Sequence, residues 1–147
     1  MENVKMAMTK IIYYLIILLI FTGCGSAIKK RVVGKYYLIA TDVDKDLSLC
    51  YHEDSYGGNY SDVIKATVFA VGYNEKYIIV KHHPRAFSHL PNKGGIGYYI
   101  LPLKKEMDWG TKNGLIGPLT FEQFNNQRNE LNISDSLNFS IVYKDLE

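Results

Sequence analysis

The sequence has little of what stabilises or marks many small proteins: two cysteines (Cys24 and Cys50), one tryptophan, four prolines and a net charge of only +2. Secreted domains that depend on disulfides carry more cysteines, so a disulfide scaffold is excluded. The small net charge excludes a general nucleic-acid-binding protein. The 147 residues, 47% hydrophobic and 22% charged, have the composition of one globular domain. We therefore expect a single domain that its hydrophobic core holds together.

The N-terminus carries the one long apolar run. Lys5 and Lys10 precede eleven uncharged residues at positions 11–21, and Thr22-Gly23-Cys24 follows. A basic segment, a short apolar segment and small residues before a cleavage point are typical of a secretory signal peptide. An uncleaved transmembrane anchor is the alternative, because residues 11–28 form eighteen uncharged positions, the lower limit for a bilayer span.

The cysteine directly after Gly23 resembles the lipobox of bacterial lipoproteins, although Phe21 stands where leucine is commoner. The resemblance implies cleavage before Cys24 and attachment of diacylglycerol to its thiol, with fatty acids such as palmitate. We expect a signal peptide over residues 1–23, the lipidated cysteine and a basic tether over 24–35, and a single domain over 36–147. Such a chain is anchored in the cell membrane or the outer membrane and faces away from the cytoplasm.

The remaining sequence predicts an α+β fold. Six segments are rich in aromatic and β-branched residues, which is typical of strands, and short turns between most of them indicate an antiparallel sheet. These segments are residues 35–41, 47–51, 63–71, 77–81, 97–103 and 137–143.

One helix is predicted near the C-terminus. Thr120 and Gln123 have the spacing of a capping box, and Leu119 and Phe124 that of a hydrophobic staple. The residues expected on the apolar face of the helix are Phe121, Phe124, Arg128 and Leu131, with Asn132 as the stop. This narrow face predicts packing on one side of the sheet.

A family resemblance rests on three segments: Tyr98-Tyr99-Ile100, Gly117-Pro118-Leu119, and Phe124 with Arg128 and Leu131 at helical spacing. Their order, together with the lipobox, resembles an uncharacterised family of small bacterial lipoproteins that contain a domain of unknown function. The resemblance covers nearly the whole chain. It implies secretion and lipidation, and it assigns no catalytic residue and no cofactor.

Charge is unevenly distributed along the chain. Residues 42–62 contain six acids and one base, whereas residues 76–105 contain six bases, three histidines and no acid. The two regions either neutralise each other or leave a basic face that binds an acidic envelope polymer or protein. For the second case the candidate ligand-binding residues are Lys81, Arg85, Lys93 and Tyr98. The leading hypothesis is thus a non-catalytic binding module of the bacterial envelope, without nucleic acid as a partner.

An enzyme is the alternative. Cys50 and His52 share one face of a predicted strand and could form a thiolate nucleophile, but no orienting group or oxyanion hole is indicated. His82, His83 and His89 suggest a metal-dependent hydrolase, yet adjacent strand residues point to opposite faces, so His82 and His83 cannot bind one ion together. A third hypothesis is an inhibitor of an extracellular hydrolase that uses residues 82–97 as a protruding loop.

A calcium loop is the last candidate site. Asp42, Asp44, Asp46 and Glu53 have the spacing of calcium ligands, but Leu47 occupies the position that requires glycine. A solvated acidic turn explains these residues without an ion and is the preferred interpretation, so we predict no metal site.

Overall fold

Apolar side chains that alternate along short extended segments build two antiparallel sheets in the computed structural model, which describes residues 27–53, 59–84, 95–103 and 114–147. Nine strands and one α-helix lie within these ranges. The strands are β1 (Ile28–Arg31), β2 (Tyr36–Ala40), β3 (Ser48–His52), β4 (Tyr60–Ile64), β5 (Val68–Tyr73), β6 (Tyr77–His82), β7 (Gly97–Pro102), β8 (Ile116–Leu119) and β9 (Ile141–Val142). The helix is α1 (Phe121–Glu130).

The two sheets follow one another along the chain. The first, sheet A, has the strand order β1-β2-β3-β4, and the second, sheet B, has the order β8-β7-β6-β5-β9. Residues 65–67 connect β4 to β5 and so carry the chain from one sheet to the other. The end of each sheet nearest this connection is where the candidate site forms.

The molecule has three layers, which are sheet A, sheet B and the helix, and a hydrophobic cluster lies between each adjacent pair. In the first cluster, Leu38 and Leu49 of sheet A pack with Val71 and Val80 of sheet B, so the inner faces of the sheets form one core. In the second, Ile79 and Ile100 on the opposite face of sheet B pack with Phe124 and its neighbours. Burial of a phenylalanine such as Phe124 stabilises the fold by about 1.5–3 kcal/mol. The helix therefore covers sheet B and leaves the outer face of sheet A for other contacts.

The predicted class of mostly antiparallel strands with one helix is confirmed, but the single sheet of about six strands is wrong. Residues 63–71 were expected to form one strand, and they instead form parts of β4 and β5 in different sheets. Val63, Ile64, Val68 and Phe69 are all buried, and a mainly apolar segment interrupted only by Lys65 and Thr67 does not reveal where the chain changes sheets.

Three further segments differ from the prediction. Residues 28–31 form the edge strand β1 where a tether was expected, because their backbone pairs with β2 although Lys29, Lys30 and Arg31 are exposed. The segment around Gly117 and Pro118, which is not among the six predicted strands, forms β8. Only Ile141–Val142 of the predicted strand 137–143 forms a strand, although the N–H groups of Ser140 and Tyr143 on either side also donate to carbonyls of β5.

The helix begins where the sequence predicts. Thr120 and Gln123 form both hydrogen bonds of the capping box, since the Thr120 hydroxyl accepts from the Gln123 N–H and the Gln123 side chain accepts from the Thr120 N–H. Asn132 adopts a left-handed φ of 52° just beyond the helix, in agreement with the predicted stop. The prediction is wrong for Phe121, which is 61% exposed because it lies at the first turn, at the margin of the apolar face.

A first prediction concerns close backbone packing at Gly72 of β5. A Cβ on Gly72 would overlap the carbonyl oxygen of Asn138 and lie 2.8 Å from its carbonyl carbon. We expect Gly72→Ala to lower the free energy of unfolding by about 1–3 kcal/mol, as overpacking does. The control Gly95→Ala meets no atom within 4 Å and should change stability by less than about 0.5 kcal/mol. Urea denaturation of both purified variants tests this, and equal stability of the two would contradict the described packing.

Candidate functional site

A cleft of about 770 Å³ lies at the ends of the two sheets that adjoin residues 65–67. Strands β2, β3 and β4 and the segments that follow β2 and β4 supply the wall on the side of sheet A, and the end of β6 closes the cleft from sheet B. Cys50 lies in its wall together with six polar side chains: Thr41, Asp46, Ser48, Asp62, Lys65 and His82. Hydroxyl, carboxylate, ammonium and imidazole groups therefore surround one space, a pattern suited to binding a polar ligand.

Strand register explains why these residues meet. Ile39 pairs with Ser48, and Cys50 pairs with Tyr37 on one side and Asp62 on the other. Directly paired residues point to the same face of a sheet, so these side chains share the outer face of sheet A. A register shift between Leu49 and Cys50 is what aligns Cys50 with Asp62.

Cys50 is a free, buried thiol that acts as a hydrogen-bond donor. Its Sγ lies 3.3 Å from Oδ1 of Asp62. Burial, followed by the hydrogen bond to Asp62 and the negative charge of that carboxylate, raises the pKa of Cys50 to about 12. Because the thiolate is the reactive form, the thiol is a poor nucleophile at neutral pH.

His52 was proposed as the base beside Cys50. Its ring instead belongs to an aromatic group on the outer face of sheet A, with centroid distances of 4.8 Å to Tyr60 and 6.2 Å to Tyr37. The structure therefore explains the position of His52 by ring packing.

His82 lines the same cleft as Cys50 and Asp62, which sequence spacing does not reveal. It is 8% exposed, its Nδ1 has no hydrogen-bond partner within the described ranges, and its ring meets Tyr99 edge-on at 5.3 Å. Burial, and then the neighbouring His83, lowers the pKa of His82, so its ring is neutral at neutral pH. His83 points the other way and stacks on Phe69 at 4.6 Å, as the alternation of a strand predicts.

The hypothetical metal ligands do not converge. Asp44 and Asp46 belong to a short 3₁₀ helix between β2 and β3, whereas Glu53 follows β3 and accepts a hydrogen bond from Ser61. In the part of the chain that the structure describes, no three His, Cys, Asp or Glu side chains are grouped to hold a metal ion. His89 lies outside the described residues.

The four predicted ligand-binding residues differ in where they lie. Tyr98 is 8% exposed and packs with Phe121 and Phe124 at 5.6 and 5.0 Å under the helix, so it is not available to a surface ligand. The prediction for Tyr98 is corrected on this ground. Lys81 lies on the same side of sheet B, with Nζ 4.8 Å from the centroid of the Phe139 ring. Arg85, Lys93 and the predicted lipidation site Cys24 lie outside the described residues.

Sequence reasoning missed an aromatic group next to the cleft. The rings of Tyr37 and Tyr60 are 5.3 Å apart, and the Lys29 ammonium lies 4.6 Å from the centroid of Tyr60. Strand alternation could have revealed Tyr37, since its neighbours Tyr36 and Leu38 are buried in the core. The sequence did not indicate that Lys29 belongs to this group, because its segment was predicted to be a tether.

Comparison with known proteins finds one matching family model. The family model described as "Protein of unknown function (DUF3997)" matches residues 33–145. Searches of curated proteins and of solved structures give no match. Among the described residues, no helix has the length and apolar character needed to cross a membrane.

A second prediction concerns the reactivity of Cys50. We expect iodoacetamide to modify Cys50 slowly at neutral pH and faster as the pH rises towards 12, because only the thiolate reacts. Asp62→Asn removes the charge that raises the pKa, so its rate profile should shift to lower pH and its rate at pH 8 should rise several-fold. Mass spectrometry of the Cys50 peptide measures the rate separately from Cys24.

The matched control is Asp46→Asn, which removes another carboxylate of the cleft that does not contribute to the pKa shift. It should leave the profile unchanged. Rapid modification of the unaltered protein at neutral pH would instead indicate a thiolate and would favour the enzyme hypothesis.

Proposed function

The chain belongs to the DUF3997 family, whose function is unknown, and we propose that it is a lipid-anchored, non-catalytic binding module of the bacterial cell envelope. In this proposal the cleft beside residues 65–67 binds a polar ligand or a polar segment of a partner. Cys24 attaches the module to a membrane, on the side that faces away from the cytoplasm.

The observation that best supports a binding function is that Cys50 is a protonated thiol. A nucleophilic cysteine needs a lowered pKa, and here burial and Asp62 raise it to about 12. The thiol donates its proton to a carboxylate rather than to a base that activates it. Its chemistry therefore suits hydrogen bonding in a binding site.

The remaining walls of the cleft support the same role. Lys65 and Thr41 are exposed, and Ser48 and His82 are largely buried, so both mobile and fixed polar groups face the cleft. The unpartnered Nδ1 of His82 lies against Gly97, where a Cβ would approach it to 3.2 Å.

The anchor is supported by the sequence before the matched region. The family model begins at residue 33, whereas the basic segment, the apolar run and Cys24 all precede it. The first strand begins at Ile28, so only three residues separate it from Cys24.

A third prediction tests the anchor. Bacteria that express the full chain and are supplied with labelled palmitate should label it, and Cys24→Ala should abolish the label. The control Cys50→Ala should keep the label, since Cys50 lies inside the folded domain. Labelling of Cys24→Ala, or a membrane-bound chain that retains residues 1–23, would refute lipidation and favour an uncleaved anchor.

A fourth prediction tests binding at the cleft. A photoreactive amino acid replaces either Lys65, which is exposed and lines the cleft, or Lys76, which is exposed in the turn between β5 and β6. On irradiation of intact cells, we expect a discrete adduct from position 65 and none from position 76. Asp62→Asn, which alters the cleft without removing the probe, should reduce that adduct several-fold. Equal products from both positions, or none from either, would contradict a binding role for the cleft.

A further inference from the structure

We infer that the edge of sheet A formed by β1 docks on an anionic lipid bilayer, so that the anchor orients the domain as well as attaching it. This inference rests on the proposed lipidation of Cys24. The docking surface, named the β1 edge, consists of Lys29, Lys30 and Arg31 of β1 together with the rings of Tyr37 in β2 and Tyr60 in β4, over which the Lys29 side chain extends across the outer face of sheet A.

The β1 edge is strongly cationic. Lys29, Lys30 and Arg31 are consecutive and exposed, and Lys35 is exposed in the turn that follows. Because β1 is the outermost strand of sheet A, side chains on both of its faces reach solvent at this edge. Each cation held near an anionic membrane strengthens attachment about fivefold.

Tyrosine rings accompany these cations. The Lys29 ammonium lies 4.6 Å from the centroid of Tyr60 and 6.0 Å from that of Tyr37, and the Lys35 ammonium lies 6.0 Å from that of Tyr51. Tyrosine and lysine combine an apolar body with a polar end, and membrane interfaces are enriched in such side chains for that reason. The pairing of ring and ammonium suits the boundary between headgroups and acyl chains.

Chain length brings the β1 edge to the membrane. Cys24 and Ile28 are four positions apart, a separation that spans at most about 14 Å. Lys29 therefore cannot move far from the lipid that Cys24 carries. These cations can therefore reach a surface of opposite charge wherever the bilayer contains anionic lipid.

Docking at this edge would also hold the cleft close to the membrane. Ile28, the first residue of β1, pairs with Ala40, and the residues on either side of Ala40, Ile39 and Thr41, line the cleft. The chain thus enters the fold beside the cleft. The ligand of the binding module would then be met close to the bilayer surface.

A fifth prediction tests docking with the full, lipidated chain in two kinds of vesicle, phosphatidylcholine alone and equimolar phosphatidylcholine and phosphatidylglycerol. An amine-reactive reagent labels lysines, and mass spectrometry gives the rate at each position and the lipidation of Cys24. We expect labelling of Lys29 and Lys30 to fall about fivefold or more on the anionic vesicles, and that of Lys76 to stay constant. About 1 M salt should remove the difference because it screens surface charges.

Two variants with the same change of charge complete the test. Lys29→Glu should weaken protection of Lys30 on anionic vesicles, and Lys76→Glu, at the turn between β5 and β6, should not. A lipidated chain whose Lys29 and Lys30 react equally on both vesicles would overturn docking alone; its charges would then only prevent strand pairing at the edge. Equal protection of Lys29 and Lys30 on both vesicle types would indicate a contact between proteins and would also overturn docking on lipid. A chain without lipid on Cys24 would overturn both the anchor and the docking.

Discussion

The backbone hydrogen bonds around Thr67 are the contacts on which the candidate site depends. Thr67 donates to and accepts from His83 at N···O distances of 3.2 and 2.9 Å, and its hydroxyl donates to the Lys45 carbonyl at 2.7 Å. The next N–H, of Val68, donates to the Leu47 carbonyl at 2.8 Å. Because backbone polar groups must be paired when buried, these bonds join sheet A to sheet B at one end. That junction sets the separation of β3 from β6 and hence the walls of the cleft.

The same junction explains how chemically active residue types from two sheets come to line one cleft. Cys50 and Asp62 come from sheet A, and His82 comes from sheet B. The thiol is directed to the carboxylate within its own sheet, and the imidazole packs against Tyr99 within the other. Each group is thereby held by its own sheet, which favours recognition of a ligand that spans the two sheets over a proton relay between them.

Local signals in the sequence were sufficient for local structure. The short turn between the predicted segments 63–71 and 77–81 correctly predicts the hairpin of β5 and β6, where the Asn74 side chain accepts hydrogen bonds from the N–H groups of Lys76 and Tyr77. The capping residues correctly predict the helix for the same reason, since their hydrogen bonds join residues three apart. Neither depends on the rest of the fold.

Tertiary features were beyond those signals. The cleft combines residues 41 positions apart, from Thr41 to His82, and side-chain periodicity does not state which sheet a strand joins. Tyr98 illustrates the error that follows: next to a run of bases it resembles a surface residue, yet its strand is central in sheet B and the helix covers it. Its burial depends on α1, which begins 23 positions later.

The strand β1 changes what a lipid anchor can do in this molecule. A long flexible tether would only raise the concentration of the domain near the membrane, and the domain would rotate freely. Here the chain is already paired in a sheet at Ile28, which is four positions after Cys24. An edge strand also needs protection against pairing with other chains, and charged side chains supply it. The cations of β1 satisfy that need in any environment, and under the proposed lipidation of Cys24 an anionic membrane would be a second partner of opposite charge. The structural need at the edge and the proposed attraction to a membrane would therefore favour the same residues.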